Sequence, residues 1–166
     1  MSRMSAFLIT ALLLAWQPLV QASEPQEVYW EDLVPEGWYP PEPDFSSSFF
    51  IDHEADPAAV QPSMDAPVVE SMHNKHVKIP GFILPVEFEG DAVIEFLLVP
   101  YVGACIHVPP PPPNQIVLVE LEEPLVGTDL FDPVWVEGEL RIESVRSLYA
   151  QSSYTLAGKE ITKYEW

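Results

Sequence analysis

From Lys75 onward, apolar side chains recur at alternate positions in short blocks, which is the period of strands rather than helices. In His76–Glu89 the apolar residues are Val77 and Ile79, then Phe82, Leu84, Val86 and Phe88. Their parity changes across Pro80-Gly81, which predicts a β-bulge there, because one extra residue re-aims every side chain that follows. Ala92–Tyr101 is almost continuously apolar, as in a strand covered on both faces, and Gln115–Glu122 reads as a third strand. Pro133–Glu143 alternates cleanly: Val134, Val136, Gly138, Leu140 and Ile142 face one way, and Trp135, Glu137, Glu139, Arg141 and Glu143 the other. Arg146–Gln151 reads as a helical turn, and Ser153–Ala157 with Glu160–Trp166 as a final hairpin around Gly158. Five or six strands with little helix predict an all-β fold: a small OB-like barrel with a bulged first strand. Closure removes exposed strand edges. A β-sandwich is the alternative.

Before Lys75 the pattern is different. Residues 24–70 hold 12 acids and eight prolines, and no Lys or Arg occurs from Ser23 to Asn74. Charge and proline oppose a packed core, whereas the aromatics Tyr29, Trp30, Trp38, Tyr39, Phe45, Phe49 and Phe50 argue that parts of this arm dock on something. Glu27–Pro35 predicts a short helical turn whose Trp30 and Leu33, at i and i+3, pack on the main domain. Residues 40–65 are expected to be irregular and mobile, with a short helix from Asp65 to about Met72. Trp135, on the charged face of its strand, is a lid over the core or a docking site for the arm's aromatics.

The N-terminus has the three parts of a secretory signal peptide: Arg3, an apolar run from Ala6 to Trp16, and Val20-Gln21-Ala22 at the cleavage point. A signal anchor is the rival, but the run is short for a span of about 20 residues. No Cys lies near the cleavage point, so a lipoprotein anchor is not expected. The expected organisation is therefore 1–22 signal peptide, 23–65 acidic arm and 66–166 barrel, soluble in the periplasm and not membrane-embedded. Cleavage removes Arg3 and no acid, so 7 − 1 = 6 basic and 26 acidic side chains remain, a net charge of −20. Such a charge opposes binding to nucleic acid and favours cations or basic partners, although solubility alone also accounts for it.

Export makes the single cysteine, Cys105, unusual, because secreted proteins carry cysteines mostly in pairs. Cys105 and His107 are two apart, so in extended backbone they project to one face. Gly103 and Ala104 precede them, and Pro109–Pro113 follow as a stiff polyproline II segment of roughly 15 Å that reads as a rigid rim loop. Three readings stay open. The pair ligates a soft or borderline metal, zinc or copper, with His73, His76, an acid or a second subunit completing the site, and His53 as a weak collector on the arm. Alternatively, Cys105 is a reactive thiol whose pKa His107 lowers, with Asn114 as a tempting third member. In the third reading both are structural and the prolines only shape the loop or offer a surface to a partner. His73 and His76, at i and i+3, read more readily as exposed than as ligands. No complete catalytic motif is present, so no reaction is expected.

The segments Asn74–Pro85 (NKHVKIPGFILP), Glu95–Val108 (EFLLVPYVGACIHV) with its proline run, Pro133–Gly138 (PVWVEG) and Trp30–Pro35 (WEDLVP) resemble a bacterial family catalogued as domain of unknown function 3299. Asn74 stands where that family's pattern has Gly, and both residues accept a left-handed turn. The resemblance implies an exported protein of Gram-negative bacteria linked to zinc-responsive, ABC-type transporter loci. The expected function is accordingly a periplasmic accessory protein that binds or delivers a transition metal, zinc first, through Cys105 and His107, with ABC transporter components as partners. The alternative is a subunit that docks on a membrane complex through its proline-rich loop and aromatic arm, without metal.

Overall fold

The computed structural model describes residues 24–40, 61, 65–104, 110–127 and 132–164. Six strands form one sheet: β1 (Gln26–Glu27), β2 (Lys75–Glu89), β3 (Ala92–Val99), β4 (Val117–Leu125), β5 (Val134–Arg146) and β6 (Gln151–Lys163). Their order is β1-β2-β3-β4-β6-β5, and β2 also pairs with β5, so β2 to β6 close into a five-stranded barrel with β1 as an extra strand. The β4–β6 pair is parallel and the other barrel pairs are antiparallel. This is the small OB-like barrel that the alternation predicts.

Closure depends on β2, which is long enough to serve two partners. Lys75–Gly81 pairs with β5, and Phe82–Glu89 pairs with β3. Gly81 stands at the exchange, where a Cβ would lie 2.8 Å from the Val99 carbonyl oxygen and 2.9 Å from Leu98. The bulge expected at Pro80-Gly81 is not there. Val77, Ile79, Gly81 and Ile83 keep one parity and are all buried, and the register shifts at Pro85/Glu87 instead. The apparent parity change arises because β2 carries two apolar faces: Val77, Ile79 and Ile83 point into the barrel, while Phe82, Leu84 and Val86 belong to a second cluster outside it.

The interior cluster is built from Ile79, Phe96, Leu98, Val119, Val136, Tyr154, Leu156 and their neighbours. The outer cluster joins Leu84, Leu97, Val99 and Leu118 to Ala104, Ile116 and Ala150. β3 contributes to both, which explains its continuous apolar run. Ser147 joins β5 to β6 as a turn, its Oγ accepting from the Ala150 amide at 3.1 Å and its amide donating to the Ala150 carbonyl. The expected hairpin around Gly158 is one continuous strand. Gly158 is required by close approach, since a Cβ would lie 2.8 Å from Val119, and not by a turn.

The arm is docked where it is described. β1 adds in parallel to Val77 and Lys78 of β2. Trp30–Leu33 forms a 3₁₀ turn, with Leu33 fully buried in the interior cluster and the Trp30 Nε1 donating to the Pro80 carbonyl at 2.8 Å. Tyr154 ties the arm and the segment before β2 from inside the barrel: its hydroxyl donates to Leu33 O at 2.9 Å and accepts from the Val69 amide at 2.8 Å. Burial raises the pKa of this tyrosine, so the hydroxyl stays protonated and able to donate. The helix expected over 65–72 is confined to a 3₁₀ turn, Glu70–Met72, and Asn74 takes the left-handed conformation (φ 58°) that starts β2. No helix among the described residues is long and apolar enough to cross a membrane.

Candidate functional site

The β3–β4 connection carries the chemistry singled out from the sequence. It leaves β3 through a turn with Gly103 at φ 80° and reaches Ala104, which is buried against the outer cluster. Cys105 and His107 fall within 105–109, outside the described residues, as do His53 and residues 1–22. Pro110–Pro113 and Asn114 are all buried. The backbone at Pro112 (φ −54°, ψ 152°) is polyproline II, and Pro113–Gln115 then tightens into a 3₁₀ turn that leads into β4.

Prolines have no N–H, and their buried carbonyls need donors from elsewhere. The Gln115 amide donates to Pro112 O at 2.8 Å and the Ile116 amide to Pro113 O at 3.3 Å, while a side-chain amide serves Pro111. Gln61 donates to Pro111 O at 2.9 Å and to Gln151 O at 2.8 Å, while its own Oε1 accepts from the Gln151 amide at 2.8 Å. Asn114 donates to Pro67 O at 2.8 Å, and Gln115 to Trp30 O at 2.7 Å. The proline rod is therefore gripped between β6 and the arm. Pro110–Pro113 are buried, so the described part of the rod is packed against the protein itself. Gln61 was not foreseen: a lone Gln in an acidic, proline-rich stretch carries no sequence signal for such a clamp. The Asn114 Oδ1 is buried and has no hydrogen-bond partner among the described residues.

The other two candidate ligands are committed to the β2–β5 seam. The His73 Nδ1 accepts from the Ile142 amide at 3.0 Å, and the His76 Nε2 lies 2.9 Å from Glu137 Oε1. Among the described residues, no group of three or more His, Cys, Asp or Glu side chains gathers as a metal site.

Two further surfaces flank β2. Beside its first half, Trp135 of β5 packs edge-on to Tyr29 at 5.8 Å and beside Tyr164 at 5.2 Å, with the Lys78 ammonium 4.5 Å from the ring centroid. Lys78 also pairs with Glu27 at 3.1 Å, so Trp135 is where the arm's Tyr29 docks. Beside the second half, the register sets Glu87 opposite Glu95, and Glu95 opposite Glu120. Burial, then Glu87 and Glu120, raise the pKa of Glu95. In OB folds the outer face of the second and third barrel strands is the usual nucleic-acid surface. Here those strands are β3 and β4, and that face is partly buried under the outer cluster and elsewhere lined by carboxylates, which opposes a polyanion.

A shallow groove of about 440 Å³ lies between the arm and the start of β4, lined by Trp30, Val34, Pro35, Trp38, Tyr39 and Pro40, with Glu31, Glu36, Gly37 and Gln115. A turn makes its far wall: the Trp38 amide donates to Pro35 O at 3.1 Å, and Gly37 supplies the positive φ (79°) such a turn demands. Sequence reasoning registered these aromatics without assigning them a site. The Pro35-Glu36-Gly37-Trp38 turn was the available signal.

A family described as protein of unknown function (DUF3299) matches residues 30–163. A crystal structure of a DUF3299 family protein from Pseudomonas aeruginosa PAO1 superposes with a TM-score of 0.75 at 42% identity, covering 86% of this chain and 97% of that one. No protein of curated function matches.

Proposed function

We propose that this chain, which belongs to the DUF3299 family, is an exported, non-catalytic accessory protein that binds and hands on a transition metal, zinc first, through Cys105 and His107, in concert with an ABC-type transporter. The observation that carries the reading is the anchoring of the connection that holds both donors. Its neighbours on either side, Ala104 and Pro110, are buried, and Gln61, Asn114 and Gln115 fasten the segment that follows. Two ends held in place reduce the entropy lost when a ligand is gripped. A thiolate and an imidazole are suited to zinc, but a closed zinc site takes four ligands. Two donors suit transfer, with the remaining ligands supplied by the donor or acceptor protein. His73 and His76 would first have to leave Ile142 and Glu137.

Reduced protein lacking residues 1–22 is titrated with zinc in a calorimeter beside Cys105→Ser and His107→Ala. One equivalent in the wild type, weakened at least tenfold in each variant, is expected; the same uptake by all three overturns the metal reading. Docking on a membrane complex without metal is the second reading. The arm groove favours it, whereas the buried prolines do not.

A further inference from the structure

We propose that the arm groove is the docking site for an extended, proline-containing segment of a partner protein that carries Lys or Arg beside its prolines. This deepens the docking reading and is independent of the metal. Grooves lined by aromatic rings receive polyproline II segments, whose three-residue turn presents flat pyrrolidine faces and leaves the carbonyls open to donors. The groove has that character. Trp30 and Trp38 both line it, Pro35 and Pro40 continue the apolar lining, and Tyr39, also in the lining, is 83% exposed.

The two indoles differ in a way that matters. Trp30 spends its Nε1–H on Pro80 O and is fixed to the barrel. Trp38 makes no side-chain hydrogen bond among the described residues, and a ligand carbonyl is the partner the proposal assigns to its N–H. The charge of the occupant follows from Glu31 and Glu36. Both line the groove, both are exposed, and neither has an ion pair among the described residues. With no Lys or Arg from Ser23 to Asn74, the arm supplies no counter-charge of its own. The chain's own rod at Pro110–Pro113 is not the occupant, because it is buried under Gln61.

The test uses the full mature chain and a fluorescein-labelled peptide alternating Pro pairs with single Arg residues. Companion peptides carry Glu for Arg, or Gly for Pro. Anisotropy is expected to show binding of the Arg-Pro peptide that weakens at least tenfold with Gly for Pro, and also on raising salt from 50 to 500 mM. Trp38→Ala should weaken it about tenfold, the exposed Tyr39→Ala several-fold without touching the fold, and Glu31→Gln with Glu36→Gln should remove most of the salt dependence. Equal binding of the Glu and Arg peptides, lost in Trp38→Ala, would overturn the basic partner while leaving a polypeptide groove. No binding by any peptide would overturn both, and self-association abolished by Trp38→Ala would make a second copy the occupant and overturn the proposal.

Discussion

The two halves of β2 present opposite surfaces. Along Lys75–Gly81 two charged side chains meet complements: Lys78 lies between Glu27 and the Trp135 ring, and His76 faces Glu137. Along Phe82–Glu89 the strand ends among like charges, with Glu87, Glu95 and Glu120 abreast on three strands. Among the described residues, the arm covers the first half, through β1 and Trp30, and not the second. The difference teaches that the arm is the barrel's sixth strand in practice. It closes one side of β2 and gives Lys78 a partner, Glu27, that the barrel lacks, while at the far end Glu87, Glu95 and Glu120 crowd together.

The largest effect should come from detaching the arm. Leu33→Ala removes a fully buried side chain from the interior cluster and is expected to cost about 3 kcal/mol, read as a lower urea midpoint. An unchanged midpoint would make the arm an ornament. Gly81→Ala strikes the joint between the halves, where a Cβ meets the Val99 carbonyl, and should cost about 2 kcal/mol by calorimetry. Lys78→Ala, removing a half-exposed ion pair and a cation–ring contact, should cost about 0.5–1 kcal/mol, less in high salt.

Glu95→Gln should do the reverse and stabilise by a few tenths of a kcal/mol, the scale of like charges facing across a pair of strands. Its pH dependence has a definite sign. The carboxyl is raised above its ordinary value in the folded state, first by burial and then by Glu87 and Glu120, so the folded protein holds the proton longer. Stability from this group is greatest below the ordinary carboxylate range and falls as pH climbs through the raised value. A thermal-melt series across acidic pH should show that decline flattened in Glu95→Gln.

Alternation revealed the barrel because each strand buries one face or two, and burial is what a period of two records. It did not reveal partners. The exchange of β5 for β3 at Gly81 looked like a bulge, since a strand that buries opposite faces in its two halves gives the same parity change. Gly158 looked like a turn because an absent side chain marks a close approach and a bend alike. Trp30 and Leu33 were legible as docking residues from their spacing in a polar stretch. The clamp at Gln61 and the tie at Tyr154 were not, because long-range hydrogen bonds leave no period. For the candidate site, Cys105 and His107 came from chemistry and spacing alone, whereas the groove needed the turn at Gly37 to bring Trp38 and Tyr39 into one lining with Trp30.

The central functional claim, that Cys105 and His107 hold a metal together, is tested most directly by the rate at which a thiol reagent labels Cys105 in the native, reduced protein. Stoichiometric zinc should slow labelling at least tenfold, and His107→Ala should abolish most of that protection. A rate unmoved by zinc, or protection that survives without His107, would contradict the account.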